Sequence, residues 1–140
     1  MNFYKILFFL FMLLIGHPLT SLGQISLTIE IGELRNNNGQ ILLAFTNEKG
    51  EKITGIAQNI ADNKSVIVFN DLKQGKYAFK YFHDENKNEI LDLSWIKIPK
   101  EGYGFSNNAK GTFGPPSFVK TIFEITENTT VKCTPTYMKL

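Results

Sequence analysis

The chain has 140 residues, and its 15 Lys and Arg residues against 13 Asp and Glu residues give a formal net charge of +2. This length suits one domain, and 43% hydrophobic residues with 20% charged residues argue against a disordered chain. The basic residues are scattered, which disfavours a nucleic-acid binder, and a single Cys excludes both an intrachain disulfide and a Cys-based zinc site.

Residues 1–23 have the layout of a secretory signal peptide. Lys5 precedes an uninterrupted apolar run over residues 6–15, and small residues, Ser21 and Gly23, stand just before a cut at Gln24. A membrane anchor is the alternative, but it needs about 20 apolar residues to cross the bilayer. We therefore expect an exported protein, periplasmic or secreted, with one mature domain over residues 24–140 and no membrane span after removal of the signal.

The mature chain shows two-residue hydrophobic alternation and no convincing helical stripe. The alternation is strictest at its start, where Ile25, Leu27 and Ile29 share one face of the segment. Strands are predicted at residues 25–31, 40–46, 53–60 (a weak edge strand), 64–69, 76–83, 91–98, 118–125 and 130–138. Seven or eight short strands predict an all-β fold, an antiparallel Greek-key β-sandwich that is immunoglobulin-like or transthyretin-like, and we expect a monomer.

One turn between predicted strands has the spacing of a tyrosine corner. Leu72, Gly75 and Tyr77 fall where such a corner places its residues, and the tyrosine hydroxyl would bond back to the backbone upstream. The alternative is an ordinary core tyrosine that follows a turn.

The segment from residue 84 to residue 92 resembles the first part of a calcium loop. Oxygen-bearing groups recur at the spacing that turns them toward one cation. The predicted ligands are Asp84, Asn86, Asn88, the carbonyl of Ile90, and Asp92. Glu89 stands where a Gly usually permits the sharp turn, and Trp95 stands where a bidentate Glu is expected. We therefore expect weak calcium binding, on the order of 10⁻⁴ to 10⁻³ M, or else a solvated hairpin loop.

Residues 99–118 are long for a connection inside one domain, and they are rich in Gly, Asn and aromatic residues. We favour a structural Ω-like loop. The alternative is a ligand-binding loop, in which the side chains of Tyr103, Phe105, Asn107 and Asn108 would line a groove. The glycines form no phosphate cradle, because no Lys-Ser or Lys-Thr follows them.

Several short motifs occur in a fixed order along the chain. They are Gly32-Glu33-Leu34-Arg35 with the following Asn turn, Leu72-Lys73-Gln74-Gly75-Lys76-Tyr77, His83-Asp84-Glu85-Asn86-Lys87-Asn88, Ile98 to Asn108, and Gly114-Pro115-Pro116-Ser117-Phe118. Together they resemble the exported bacterial family called domain of unknown function 2141, over essentially the whole mature chain. The resemblance implies a secreted or periplasmic bacterial β-sandwich, and it brings no established activity, substrate or catalytic residue.

The sequence favours a binding module over an enzyme, and we assign no catalytic residue. His83 is the only histidine of the mature chain and is expected to brace the acidic loop, while Cys133 is expected to be buried and inert. The protein is predicted to be a binding or accessory module of the envelope that recognises an envelope protein or a glycan, through the end that bears residues 84–92 and 102–117. One alternative is a carboxylate-based hydrolase acting on an envelope or carbohydrate substrate. Another is a structural envelope component with no small ligand.

Overall fold

A computed structural model describes residues 23–139, so residues 1–22 of the predicted signal peptide lie outside it. No helix within residues 23–139 is both long and apolar enough to span a membrane. The described chain contains a one-turn 3-10 helix (Ser106–Asn108), a short helix α1 (Phe118–Thr121) and the following strands: β1 (Ile25–Ile31), β2 (Gln40–Asn47), β3 (Lys52–Gln58), β4 (Ser65–Leu72), β5 (Gly75–Asp84), β6 (Tyr103–Phe105), β7 (Phe123–Ile125) and β8 (Thr129–Cys133).

The strands form two sheets, which confirms the predicted all-β sandwich. The smaller sheet has the order β4-β1-β8, and the larger has the order β3-β2-β5-β6 with β7 also paired to β5. Since β7 pairs with the start of β5 and β6 with its end, these two short strands lie one after the other along the same edge of β5. The β1–β8 pair is parallel, which departs from a wholly antiparallel sandwich. Greek-key connectivity stays a prediction.

Period-two alternation explains the core between the sheets. Every second residue of β1, from Ile25 to Ile31, is buried. The ring of Phe45 stacks on the ring of Phe69 across the sandwich, with centroids 4.5 Å apart, and on the ring of Tyr77 at 5.1 Å. Cys133 is buried at the end of β8, as expected, and burial raises the pKa of its thiol to about 11.

The tyrosine corner is confirmed. The hydroxyl of Tyr77 donates a hydrogen bond to the backbone carbonyl of Lys73, at 2.8 Å. The bond spans four residues and fixes the turn that leads from β4 into β5. Because β5 is the central strand of the larger sheet, this corner fixes the approach of the strand whose other end carries the acidic loop.

Three predicted strands differ from the structure. Residues 91–98 form turns with a single bridge between Leu93 and Pro99, so the predicted strand is wrong. Only the end of the segment 118–125 is extended, because its first four residues form α1. β8 ends at Cys133, and Pro135, which has no N–H to donate, is followed by a bridge from Thr136 to Tyr103 rather than by more pairing with β1.

Candidate functional site

The acidic loop leaves the end of β5 at a fully buried carboxylate. Oδ1 of Asp84 accepts the backbone N–H of Asn88 at 3.0 Å, and Oδ2 accepts the backbone N–H of Glu89 and the side-chain amide of Gln40, each at 3.0 Å. Three donors compensate the cost of burying this charge and close the loop onto its own first residue. Asp84 therefore shapes the loop from inside.

The predicted calcium ligands that follow Asp84 come together. The side-chain amides of Asn86 and Asn88 donate to the carboxylate of Asp92 at 2.7 Å and 3.2 Å, respectively. Glu89, the sixth residue from Asp84, has a φ of 62°, the left-handed conformation for which Gly is usual at this position of a calcium loop. The side chain of the fourth predicted residue, Ile90, is largely exposed, and its carbonyl was the predicted ligand.

The acidic residues around this loop are spread out. Within residues 23–139, no three His, Cys, Asp or Glu side chains lie close enough to hold one metal ion. A cation here would rest on the carboxylates of Asp84 and Asp92 together with amide and carbonyl oxygens. This donor set suits a hard cation such as calcium and gives fewer charges than strong calcium loops supply. The predicted ligand set stays a prediction.

Glu101, which the sequence analysis did not single out, clamps both ends of the loop. Its side chain is 4% exposed, Oε1 accepts the backbone N–H of Glu85 at 2.9 Å, and Oε2 accepts that of Asp92 at 3.0 Å. The sequence offers no spacing signal for this clamp, because it depends on residues 93–100 folding back: the N–H of Lys100 donates to the carbonyl of Asp92.

His83 lies buried beneath the loop with both ring nitrogens occupied. Nδ1 lies 2.8 Å from the hydroxyl of Tyr137, and Nε2 lies 2.7 Å from the carbonyl of Asn38. Such full pairing is typical of a structural histidine and agrees with the bracing role expected for it. It leaves neither nitrogen free to serve as a general base.

An ion pair borders this cluster. Nε of Arg35 donates to Oε1 of Glu85 at 2.6 Å, and the guanidinium lies 4.8 Å from the ring centroid of Tyr137. Burial of the Glu85 carboxyl raises its pKa, but the hydrogen bonds from Arg35 and Asn36 and the positive charge of Arg35 outweigh burial, so the pKa lies below its ordinary value. This carboxylate therefore stays charged in mildly acidic solution.

The outer face of the larger sheet carries an apolar groove of about 570 Å³. Residues directly opposite one another on paired strands point to the same face. One row across the strands is Ala57, Leu42, Phe82 and Tyr103, and the next row is Gly55, Ala44, Lys80 and Phe105. The row with Phe82 lies nearer the acidic loop, whose Leu91 and Glu89 also line the groove.

Two lysines, Lys52 and Lys80, line the groove. A β-carbon added at Gly55 would lie 3.2 Å from Nζ of Lys52, so the Lys52 amine lies over that glycine. Lys80 lies in the same cross-strand row as Gly55 and Phe105. Within residues 23–139, neither amine forms an ion pair.

Three of the four predicted ligand-binding residues, Tyr103, Phe105 and Asn108, border a small cavity of about 160 Å³. Tyr103 and Phe105 also line the groove. The side chain of Asn107 donates to the carbonyls of Lys120 and Ile122, and that of Asn108 donates to the carbonyl of Lys132 and accepts the N–H of Thr134. Because their amide groups already hold backbone segments together, the two asparagines act as braces in this conformation.

The glycine-rich segment, residues 102–117, runs further along the larger sheet than the sequence predicted. Its start, as β6, adjoins the acidic loop, but its end reaches the opposite end of the sheet, where a β-carbon added at Gly50 would lie 3.6 Å from the ring of Phe118. The segment is held midway by Ser106, whose hydroxyl bonds to Phe79 and Thr121. The acidic loop and the whole glycine-rich segment therefore do not share a single end of the sandwich, as the sequence predicted; only the start of the segment adjoins the loop.

These features define a class of protein: a small β-sandwich whose larger sheet presents an aromatic groove beside a braced acidic loop. Residues 29–132 match the family described as "Uncharacterized protein conserved in bacteria (DUF2141)", and the chain belongs to that family. The resemblance drawn from the motifs is thereby confirmed. No curated protein and no solved structure matches the chain.

Proposed function

We propose that this protein is an exported binding module of the bacterial envelope whose recognition surface is the groove on the outer face of the larger sheet. The observation that supports this proposal is the groove itself. It holds about 570 Å³, a size typical of ligand sites. Its walls are the partly exposed side chains of Leu42, Phe82, Tyr103 and Phe105. Export rests on the signal-peptide pattern of residues 1–23 and on the family resemblance.

A rigid frame supports the groove, which favours recognition over a purely structural role. Its floor comes from paired strands, and one rim comes from an acidic loop clamped by Glu101 and by Asp84. Sites built on strands lose little entropy on binding because their side chains are already ordered. By contrast, Val66 and Val68, on the outer face of the smaller sheet, are 46% and 51% exposed.

No observation favours the hydrolase alternative. Glycoside hydrolysis by paired carboxylates needs two such groups about 5 to 10 Å apart across a substrate. Among the described residues that line the groove, Glu89 is the one carboxylate. Asp84 and Glu101 are buried and each accepts two backbone N–H groups, which suits a bracing role.

Binding of apolar ligands in the groove can be measured with N-phenyl-1-naphthylamine, a neutral probe whose fluorescence rises in apolar surroundings. We expect saturable binding by the mature protein. Phe82→Thr and Leu42→Thr should each weaken it at least about fivefold, since each removes apolar contact area. Val68→Thr makes a similar change on the other sheet and serves as the matched control. Equal loss in Val68→Thr, or unchanged binding in both groove variants, would contradict the proposal.

Calcium binding by the acidic loop is a second part of the proposal. It is supported by the closeness of Asn86 and Asn88 to Asp92, whose amides would turn their oxygens toward a bound cation, and by the left-handed backbone at Glu89. Calcium would stiffen the rim of the groove. Titration calorimetry with calcium should give a dissociation constant on the order of 10⁻⁴ to 10⁻³ M. Asp92→Asn should abolish the heat, whereas Asp62→Asn, outside the loop, should not. Heat equal to dilution at millimolar calcium would refute this part.

A further inference from the structure

We infer that the groove binds a monocarboxylate with an apolar body, an inference that rests on the proposed binding function and names its ligand class. The first observation is the separation of apolar and cationic side chains within the groove. Leu42, Phe82 and Tyr103 form the row nearer the acidic loop, and Lys80 lies in the row beyond them. The two rows are two residues apart, about 7 Å along the strands. A ligand whose apolar part and charged head are about that far apart would contact both rows.

The second observation is the pair of lysines. The amine of Lys52 lies over Gly55, and Lys80 lies in the same cross-strand row as Gly55. Both cations therefore border the end of the groove that is farther from the acidic loop. Neither forms an ion pair within residues 23–139. An anionic head placed beside them would gain charge-assisted hydrogen bonds, since each ammonium has three donors.

The net charge of the residues that line the groove indicates how much negative charge the ligand carries. The lining of the groove contains Lys52, Lys80 and Glu89 as its residues charged at neutral pH, which leaves one net positive charge. A carboxylate carries one negative charge, whereas a phosphate monoester carries nearly two. Glu89 lies on the acidic loop, at the apolar end, where it disfavours a second anionic group on the ligand. The complementary ligand therefore has one anionic head group near the two lysines and an uncharged tail that lies toward Leu91.

Displacement of N-phenyl-1-naphthylamine from the mature protein at pH 7.5 tests this directly. The competitors share one chain: decanoate, decanol, decyltrimethylammonium and decyl phosphate, each below its micelle concentration. We expect decanoate to displace the probe at a concentration about tenfold below that of decanol, and decyltrimethylammonium to compete more weakly than decanol. The preference for decanoate should fall as salt is raised, because salt screens exposed charges.

The double variant Lys52→Gln/Lys80→Gln should bring decanoate to within about twofold of decanol, with each displacement constant corrected for the variant's own affinity for the probe. Lys64→Gln/Lys97→Gln, which removes two exposed lysines outside the groove, is the control and should keep the preference. The inference is overturned if decanol or decyltrimethylammonium matches decanoate, if decyl phosphate binds more tightly than decanoate, or if the groove double variant keeps the preference. In each of these cases, binding of N-phenyl-1-naphthylamine would still support the proposed binding function. Failure of the proposed function would instead appear as no probe binding at all.

Discussion

The hydroxyl of Tyr137 lies 2.8 Å from Nδ1 of His83, which joins the C-terminal segment to the end of the central strand β5. The same hydroxyl accepts the backbone N–H of Arg35 at 3.3 Å. Gly102 makes the approach of the ring possible, because a β-carbon there would lie 2.4 Å from a ring carbon of Tyr137. Three segments far apart in sequence are thus tied together beneath the acidic loop.

Removing that hydroxyl should destabilise the protein. Tyr137→Phe leaves the buried Nδ1 of His83 without its partner, and we expect the free energy of unfolding to fall by about 1 to 3 kcal/mol. Urea unfolding of the mature protein measures this. Tyr103→Phe is the matched control, since its hydroxyl makes no hydrogen bond to other described residues, and its stability should stay within about 0.5 kcal/mol of the parent. Equal stability of the two variants would show that the His83 contact contributes nothing.

The clamp at Glu101 can be tested by Glu101→Gln. The amide keeps one oxygen and loses the other, so one of the backbone N–H groups of Glu85 and Asp92 loses its partner. We expect about 1 to 3 kcal/mol of lost stability. Hydrogen exchange should also become faster at those two amides than elsewhere in the loop. Glu48→Gln, an exposed change, provides the comparison, and unaltered exchange at Glu85 and Asp92 in Glu101→Gln would refute the clamp.

Acid should weaken the protein through Glu85. The pKa of Glu85 in the folded state lies below its ordinary value of 4.5, so its contribution is fully present above that value and is lost as the pH falls through the folded pKa. Arg35→Gln should therefore lower stability at pH 6 to 7, by less than about 1 kcal/mol because the Arg35 side chain is 44% exposed. The difference from the parent should shrink below pH 4.5. A carbon-detected NMR titration that gives Glu85 an ordinary pKa would contradict this expectation.

Substitution by alanine should destabilise the protein strongly at one glycine near the acidic loop and only slightly at another. Gly39 has a φ of 74°, and a β-carbon there would lie 1.8 Å from the carbonyl oxygen of Asp84. Gly39→Ala must displace the backbone at the root of the acidic loop, and we expect a loss of more than about 3 kcal/mol. Gly32→Ala meets open space, with no atom within 4 Å, and should change stability by less than about 1 kcal/mol. Thermal unfolding of both variants distinguishes a local clash from a general intolerance of alanine.

The sequence predicted those parts of the fold that depend on local periodicity. The alternation in β1 marked its buried face, and the spacing of Gly75 and Tyr77 marked a corner that the Lys73 carbonyl completes. It also brought Asn86, Asn88 and Asp92 into one loop, because their regular spacing turns them to one side. The segment 91–98 misled the prediction, since its apolar residues suggested a strand although they form turns.

Amino-acid order alone determined an all-β chain with an acidic loop after the strand predicted at residues 76–83, because two-residue periodicity and turn chemistry act between near neighbours. Only the tertiary structure decided which side chains from distant segments line the same groove. It assigned Tyr103 and Phe105 to a groove with Leu42 and Lys52, and it assigned Asn107 and Asn108 to backbone carbonyls instead. The physical reason is strand register: β6 pairs with β5 across more than 20 residues of chain, and no local pattern encodes that distance.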